Sequence, residues 1–220
     1  MKSEIIFEDQ DIFVIYKPSG LATQTNRLGD VDVVSELKNY RFQKEKTNNE
    51  PYIGLIHRLD QPVEGLLVVA KNQAAAKKMS EQLEKKQLDK HYVALVYGKL
   101  PQEGILENWL LHDKKINSAI VVSKENKEGK YAKLIFQAMK KEEISLVQIQ
   151  LITGRHHQIR VQFAHTGNPL LGDSKYGTKE SNQSSKEHQV RTIALCADKL
   201  EFVHPTTGEK MLFQIQPRNF

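Results

Sequence analysis

The alternation of hydrophobic and polar residues along the chain predicts a fold dominated by β-strands. Apolar runs at 4–7 and 12–16, separated by the polar residues 8–11, predict a β-hairpin. The continuously apolar run 65–70 predicts a strand covered on both faces, whereas the alternating segment 144–152 predicts a half-buried strand. Further strands are predicted at 91–97, 105–110, 117–123, 131–138, 193–203 and 210–216.

Helical patterns interrupt these strands at three places. Apolar residues at helical spacing after Asp30 predict the first helix, and Asn72 is placed to cap the second. A third, short helix is predicted over about 155–166, and the polar segment 174–191 predicts a mobile insertion. The combination indicates an α+β fold with a mixed, largely antiparallel β-sheet and flanking helices. Since no linker or internal repeat divides the sequence, we expect a single domain over residues 1–220.

Composition narrows the classes of function. A formal net charge of +5 mildly favours a polyanionic partner. Cys196 is the only cysteine, which excludes an intramolecular disulfide and a zinc site built from cysteines. No apolar run approaches the roughly 20 residues that span a bilayer, and the N-terminus lacks the pattern of a signal peptide. We therefore expect a cytoplasmic protein without membrane contact, with a monomer as the default state.

One loop concentrates residues that can carry chemistry. The motif His57-Arg58-Leu59-Asp60 is followed by Gln61-Pro62 and then by the apolar strand 65–70. An isolated Asp beside a proline usually caps a turn. Here, however, the carboxylate lies in a loop between two apolar strands, where catalytic groups concentrate. A carboxylate that a nearby cation keeps ionised can act as a nucleophile at a sugar carbon, or as a base, without a cofactor.

The segment 153–160 offers two candidates for that cation, Arg155 and Arg160. On the predicted helix they project in different directions, so that one can point at the carboxylate while the other meets solvent or phosphate. Thr153-Gly154 would then expose the amide groups of a helix N-terminus, where a phosphate can bind. An ordinary capped amphipathic helix explains the segment equally well when it is taken alone.

Three other features have an ordinary structural explanation beside a functional one. Tyr92 lies in a predicted strand, where an aromatic residue usually belongs to the core, but it is also able to stack on a base. His156 and His157 are adjacent, do not share a helix face and lack acids or cysteines at ligand spacing, so we expect no metal. Lys77 and Lys78 lie on the outer face of the second predicted helix, where solvated surface is usual and phosphate contact is the alternative.

Several motifs occur together in one order. They are Lys17-Pro18-Ser19-Gly20-Leu21, the motif 57–60 with 65–71, Lys90-His91-Tyr92, the segment 153–160 with Gly167-Asn168-Pro169, and Gly172-Asp173-Ser174-Lys175-Tyr176-Gly177. In this order and spacing the chain resembles the RluA family of RNA pseudouridine synthases over nearly its full length. The resemblance implies the pseudouridine synthase catalytic fold, here without the N-terminal accessory RNA-binding domain that many relatives carry.

The resemblance also implies roles for particular residues. Asp60 is expected to be the catalytic aspartate, Arg160 its salt-bridge partner and Tyr92 the aromatic ring that stacks on the target uracil. Leu151 and Ile152 are expected to line the uracil pocket. The expected RNA-binding residues are His57, Arg58, Arg155, His157, Lys77 and Lys78. The family uses neither a metal nor an organic cofactor, so we expect none.

The implied function is the isomerisation of specific uridines to pseudouridine in structured RNA, either rRNA or tRNA. One alternative is a non-catalytic RNA-binding protein or chaperone on the same scaffold. A nucleosidase is a further alternative, but it usually needs a second carboxylate or a metal to activate water, and Glu64 is the only nearby acid. The sequence departs from the family pattern in two places. Val63-Glu64 stands where a small hydroxyl-bearing residue is common before the glycine, and His156 stands where Thr or Ser is common.

Overall fold

A computed structural model describes residues 1–25, 27, 29–46, 49–139 and 143–220 of the chain. These residues divide into two compact units. The first unit comprises Met1–Asp89 with Ala197–Pro217, and the second comprises Lys90–Cys196 with Arg218–Phe220. Both units are built from antiparallel strand pairs with few helices, which confirms the α+β class. The expectation of a single domain stays a prediction.

The strands and helices follow the predicted order closely. They are β1 (Glu4–Glu8), β2 (Ile12–Lys17), α1 (Val33–Glu45), β3 (Gly54–Leu55), β4 (Glu64–Ala70), α2 (Gln73–Glu84), β5 (Asp89–Tyr97), β6 (Glu103–Asp113), β7 (Ser118–Val122), β8 (Lys130–Ala138), β9 (Ile144–Leu151), α3 (Gln158–His165), α4 (Lys179–Glu187), β10 (Leu195–Val203) and β11 (Lys210–Gln214). Each strand predicted from the hydrophobic pattern is therefore confirmed, with bounds that differ by a few residues.

The first unit centres on two fully buried strands. Its strand order is β1-β2-β4-β10, with β11 on β10 and β3 on β4. Every residue of β2 and β4 is buried, as the apolar run 65–70 predicted. Met79 of α2 packs into the same core as Val14, Val68 and Phe202. The buried pair β2 and β4 gives the loop that precedes β4 a rigid support.

Side chains at element boundaries explain where the elements of this unit begin. The Asp32 carboxylate accepts the backbone N–H of Ser35, and the Ser35 hydroxyl in turn accepts the N–H of Asp32, which forms a capping box at α1. The Asn72 side chain accepts the N–H of Ala75 at 2.8 Å, so the predicted cap of α2 is confirmed. In the β1–β2 turn, Asp9 Oδ1 accepts two backbone N–H groups.

Gly65 marks a close approach between β4 and β10. A Cβ atom at this position would lie 2.5 Å from the backbone nitrogen and oxygen of Ala197, and the φ angle is +131°. We expect Gly65→Ala to lower the free energy of unfolding by about 3 kcal/mol or more in urea denaturation. Gly208→Ala is the control, since Gly208 has a φ of +77° and its Cβ would meet nothing within 4 Å. Equal losses of unfolding free energy in the two variants would show that the positive φ alone, and not the contact with Ala197, requires glycine at position 65.

The second unit is a five-stranded antiparallel sheet with α3 on one face. Its strand order is β5-β9-β8-β6-β7. The rings of Phe163 in α3 and Phe136 in β8 lie 5.4 Å apart. Phe136 is paired with Ile149, and Ile149 is paired with Tyr92. Because directly paired residues project to the same side of a sheet, Tyr92 lies on the face against which α3 packs.

The start of α3 differs from the prediction. The helix begins at Gln158, after His157 in the left-handed conformation with a φ of 51°, and not near residue 155. The Gln158 side chain accepts the N–H of Arg155 and the hydroxyl of Thr153, which holds the preceding residues in a loop. The predictions that Thr153-Gly154 form a helix N-terminus and that Arg155 lies on the helix are therefore wrong.

The segment 174–191 contains a helix where a mobile insertion was predicted. α4 begins with a capping box in which the Thr178 side chain accepts the N–H of Ser181. Ser181, Ser184 and Ser185 are buried, and Ser185 accepts the N–H of Gly172 at 2.9 Å. Small hydroxyl-bearing residues form the packed side of this helix, so its composition resembles that of a loop although its structure does not.

Candidate active site

In the first unit, the loop that carries Asp60 is fixed by the segment 17–23. The Thr23 hydroxyl donates to Leu59 O at 2.8 Å and accepts the Leu59 N–H at 3.2 Å. The Gly20 N–H donates to Gln61 O at 2.9 Å. The carbonyl of Asp60 itself accepts the N–H of Val63 at 3.0 Å. Hydrogen bonds on both sides of Asp60 thus define the backbone from which its partly buried side chain projects.

Lys17 is the buried cation beneath this loop. Its side chain is fully buried, and Nζ donates to the carbonyl oxygens of Pro18, Leu21 and Gln61 at 2.8–3.2 Å. Burial lowers the pKa of Lys17 to about 7, while the negative charges of Asp60 and Glu64 oppose that shift. The three carbonyl oxygens match the three N–H bonds of an ammonium group. Lys17 therefore ties the segment 17–21 to the loop and, when it is protonated, places a positive charge near Asp60.

Lys17 also makes stability depend on pH. Because its pKa falls from 10.5 to about 7 in the folded chain, the unfolded chain binds more protons between these values. The contribution to stability therefore rises with pH in this window and is lost as the pH falls through 7. We expect the free energy of unfolding of the wild type, relative to Lys17→Met, to rise by about 1 kcal/mol per pH unit between pH 7.5 and 9.5. Parallel pH profiles in urea denaturation would contradict this expectation.

Glu64 occupies one of the positions that depart from the family pattern. The residue is 1% exposed at the start of β4, and Tyr16 OH donates to Glu64 Oε2 at 2.5 Å. A buried carboxylate is costly unless it accepts hydrogen bonds or lies near a cation. Both conditions are met here, by Tyr16 and by the charge of Lys17. The buried carboxylate of Glu64 is thus stabilised by these two groups, next to the loop that carries Asp60.

The other predicted residues of the first unit lie at its surface or near it. His57 Nε2 accepts the N–H of Val68 at 3.3 Å, so this imidazole supports β4. Arg58 is exposed. Lys77 and Lys78 are exposed on α2, and Lys78 Nζ donates to the carbonyl of Pro205 at 2.8 Å. Their contacts with RNA stay predictions.

In the second unit, Tyr92 and Leu151 share one face of the sheet. Tyr92 is 5% exposed on β5 and is paired with Ile149 of β9. Leu151 lies two residues further along β9 and therefore projects to the same face, diagonally across from Tyr92. Ile152 follows directly and donates its N–H to Lys133 O at 3.2 Å. Both Leu151 and Ile152 are half-buried.

Arg155 and His157 differ in their surroundings. Arg155 is exposed, with Nε bound to the carbonyl of Tyr131 at 2.9 Å. His157 is buried, and its Nδ1 is 2.8 Å from the hydroxyl of Tyr176. The described contact of His157 is thus within the protein, and an RNA contact of either residue stays a prediction.

The guanidinium of Arg160 is held by Asp173, an acid of the motif 172–177 for which the sequence predicted no role. Arg160 Nε donates to Asp173 Oδ2 at 2.8 Å, and Nη2 donates to Asp173 Oδ1 at 2.8 Å. The side chain of Asp173 is fully buried and that of Arg160 is 7% exposed. The Cζ atom of Arg160 lies 5.2 Å from the centre of the Tyr176 ring. The prediction that Arg160 pairs with Asp60 stays a prediction.

Tyr176 is itself locked in place. Its hydroxyl accepts the N–H of Ala119 at 2.7 Å and lies 3.2 Å from the Ser118 hydroxyl. The ring of His157, which contacts the same hydroxyl, stacks on His156 with centroids 3.8 Å apart. These contacts connect the motif 172–177 to β7 and to the loop before α3.

Comparison with known proteins identifies the family. The model of the family described as RNA pseudouridylate synthase matches residues 11–165, a range that contains Asp60, Tyr92 and Arg160. The chain belongs to this family. An uncharacterized RNA pseudouridine synthase of Aquifex aeolicus is 33% identical over 98% of this chain and 70% of its own length. The resemblance to the RluA family is thereby confirmed.

Two further relatives agree with this assignment. The uncharacterized RNA pseudouridine synthase YhcT of Bacillus subtilis is 36% identical over 94% of this chain and 66% of its own length. Ribosomal large subunit pseudouridine synthase C of Yersinia pestis is 34% identical over 94% of this chain. The chain spans 63% of the length of the latter relative.

The fold agrees with the family. The structure named human RNA pseudouridylate synthase domain containing 4 superposes with a TM-score of 0.79 at 23% identity, covering 97% of this chain and 88% of that one. The structure named human RNA pseudouridylate synthase domain containing 1 gives a TM-score of 0.77 at 21% identity, over 98% of this chain and 83% of that one.

Within the described residues no helix has both the length and the apolar character of a membrane-crossing segment.

Proposed function

We propose that this pseudouridine synthase isomerises specific uridines within RNA. The observation that carries the proposal is the family match over 11–165 together with the presence, inside that range, of Asp60, Tyr92 and Arg160. In the reaction, the bond between ribose carbon 1′ and uracil nitrogen 1 breaks, the uracil turns, and carbon 1′ bonds to uracil carbon 5. Carbon 5 loses its hydrogen to solvent as a proton and nitrogen 1 gains one, so no oxidant or reductant is required.

Asp60 acts on the sugar in this proposal. Two routes are open to its carboxylate, namely attack on the anomeric carbon and removal of a sugar proton. Each route needs an ionised carboxylate in a fixed position. The hydrogen bonds on both sides of Asp60 support the fixed position of its carboxylate. Arg160 is proposed as the partner that orients the carboxylate.

The uracil must be retained while it is detached from the ribose. We assign this task to the ring of Tyr92, with Leu151 and Ile152 as walls of the pocket. The pairing of Tyr92 with Ile149 supports this assignment, because it places Leu151 on the same face of the sheet as the aromatic ring. An aromatic face that stacks on a base contributes about 1–3 kcal/mol.

The target uridine must leave its stack, at a cost of a few kcal/mol that is smaller in loops than in duplexes. The proposed RNA contacts are His57, Arg58, Arg155, His157, Lys77 and Lys78. Among them, Arg58, Arg155, Lys77 and Lys78 are exposed and are the best placed for phosphates. Attraction to phosphates predicts that RNA binding weakens as the salt concentration rises.

We infer a structured rRNA or tRNA as the substrate. The relatives named as ribosomal large subunit enzymes support rRNA, although the chain spans only 63% of the length of the relative from Yersinia pestis. The proposal includes a monomer in the cytoplasm that acts without metal or organic cofactor.

Mapping of pseudouridines in total RNA tests the proposal. Cells that lack the gene should lose pseudouridine at one or more positions, and expression of the wild type should restore them. Expression of Asp60→Asn should not. If the deletion loses no pseudouridine, the proposed function is wrong. If Asp60→Asn corrects the growth or ribosome-assembly defect of the deletion without modification, the alternative of an RNA chaperone gains the support that it lacks here.

A further inference from the structure

We propose that Asp173 is the positioning residue for Arg160 in the reaction. The proposal rests on the proposed function, in which Arg160 orients the catalytic carboxylate. Its structural basis is the pair of parallel hydrogen bonds, each 2.8 Å long, from Nε and Nη2 of Arg160 to the two oxygens of Asp173. Both side chains are buried.

A bidentate pair fixes the orientation of the guanidinium plane, which a single ionic contact does not. A guanidinium is planar and carries five N–H bonds. Two parallel bonds to one carboxylate define its plane and prevent rotation about the bond between Cδ and Nε. The Tyr176 ring, 5.2 Å from Cζ, restricts movement out of that plane. The three other N–H bonds of Arg160, two of them on Nη1, therefore keep fixed directions.

Asp173 can act in this way because the backbone holds its own carboxylate. Asp173 Oδ1 also accepts the N–H groups of Lys175 at 3.0 Å and Tyr176 at 3.3 Å. Its backbone carbonyl accepts the N–H of Gly177 at 2.8 Å. Before it, Gly172 has a φ of +73°, and a Cβ there would lie 2.1 Å from Thr192 O, so the chain requires glycine at this turn.

The carboxylate of Asp173 compensates the buried charge of Arg160. A buried guanidinium without a partner carries a large desolvation cost, which a carboxylate in bidentate contact offsets. The ammonium of Lys175, two residues after Asp173, donates to the carbonyls of Ile116 and Asn117. The hydroxyl of Tyr176 is in turn hydrogen-bonded to His157.

The consequence for the reaction is preorganisation. If Arg160 orients Asp60, an arginine that keeps one direction presents its N–H bonds to the carboxylate without a search among rotamers. If the guanidinium is no longer fixed, the chemical step should slow more than RNA binding weakens. Misplacement of a reacting group by about 1 Å can lower the rate about 100-fold. Asp173 would touch neither the RNA nor the reacting atoms.

The test compares Asp173→Asn with the wild type in single-turnover tritium release from RNA labelled at uracil carbon 5. We expect the rate constant to fall about 10- to 100-fold while the Kd for RNA stays within about two-fold. Asp173→Glu keeps the charge and displaces the carboxylate by one methylene, so its rate should lie between the two. Thr178→Ala is the control for loop stability, since it removes the cap of α4 in the same segment and should leave the rate unchanged.

A double-mutant cycle separates positioning from a merely structural effect. Lysine cannot form two parallel bonds to Asp173, so in an Arg160→Lys background Asp173→Asn should change the rate by no more than about two-fold. Equal losses in both backgrounds would assign Asp173 a structural role and overturn the proposal. Wild-type rates in Asp173→Asn, or in Asp173→Glu where the asparagine variant fails to fold, would overturn it as well.

The same assay distinguishes this failure from failure of the proposed function. If the wild type releases tritium and the Asp173 variants do so equally fast, only the role of Asp173 is wrong. If the wild type itself releases none from RNA that carries the target uridine, the proposed function fails, and the role of Asp173 in it fails too.

Discussion

Asp60→Asn is expected to reduce tritium release from RNA labelled at uracil carbon 5 by more than about 10⁴-fold, the scale of loss when a catalytic group is removed. The amide is nearly the same size as the carboxylate, but it can neither attack a sugar carbon nor remove a proton. Because hydrogen bonds of the backbone hold the loop on both sides, the fold should persist, and the melting temperature should stay within a few degrees of the wild type.

A matched control is available in the same unit. Asp30→Asn also removes one carboxylate, but Asp30 is exposed and precedes α1. This variant should retain wild-type rates. Robust tritium release by Asp60→Asn would remove Asp60 from the mechanism, and inactivity of both variants would point to a general effect of charge.

Tyr92→Leu is expected to slow the reaction about 100-fold. Leucine preserves much of the buried apolar volume on β5 but offers no aromatic face to the uracil, and the loss of stacking contributes about 1–3 kcal/mol. Tyr92→Phe keeps the aromatic face and should be faster than Tyr92→Leu. Single-turnover rates and thermal melts of both variants provide the measurement, because a buried residue that is only core would affect the melting temperature and not the rate.

The control for this substitution lies on the same strand. Tyr97→Leu changes the same residue type on β5, but five positions away and therefore on the opposite face of the sheet. Its rate should match that of the wild type. If Tyr92→Leu turns over as fast as Tyr97→Leu, Tyr92 belongs to the core alone.

The strands of this fold could be predicted because burial leaves a direct trace in the sequence. The run 65–70 is apolar at every position since β4 is buried on both faces. The alternation in 144–152 is visible because Gln148 is exposed while Val147 and Ile149 are buried. The cap of α2 could also be predicted, because Asn72 contacts a backbone group only three residues away.

α3, whose start was misplaced, and α4, which was not predicted, depend on packing or on contacts that are distant in sequence. α3 starts at Gln158 because the side chain of that residue binds the loop before it and the carbonyl of Lys133, 25 residues away. α4 buries serines, whose composition indicates a loop unless their packing against Gly172 is known. Neither cause is visible in a hydrophobic pattern.

The sequence predicted the main residues of the candidate site but not the contacts that hold them. Asp60, Tyr92 and Arg160 stand in motifs whose order is specific, and so their roles were proposed from the sequence. The bond between Arg160 and Asp173 joins residues of two different motifs, 13 positions apart, and no periodicity indicates which acid pairs with an arginine. Lys17 directly follows the predicted strand 12–16, and the hydrophobic pattern does not indicate that its side chain is fully buried and holds a loop more than 40 residues away.

The central claim is that this chain rearranges uridine within RNA and does not merely bind or hydrolyse it. Incubation of the purified wild type with RNA from cells that lack the gene, followed by digestion to nucleosides and chromatography, tests that claim most directly. Pseudouridine should appear in amounts that match the uridine lost, with no free uracil. RNA that is bound but unchanged, or free uracil without pseudouridine, would contradict the account.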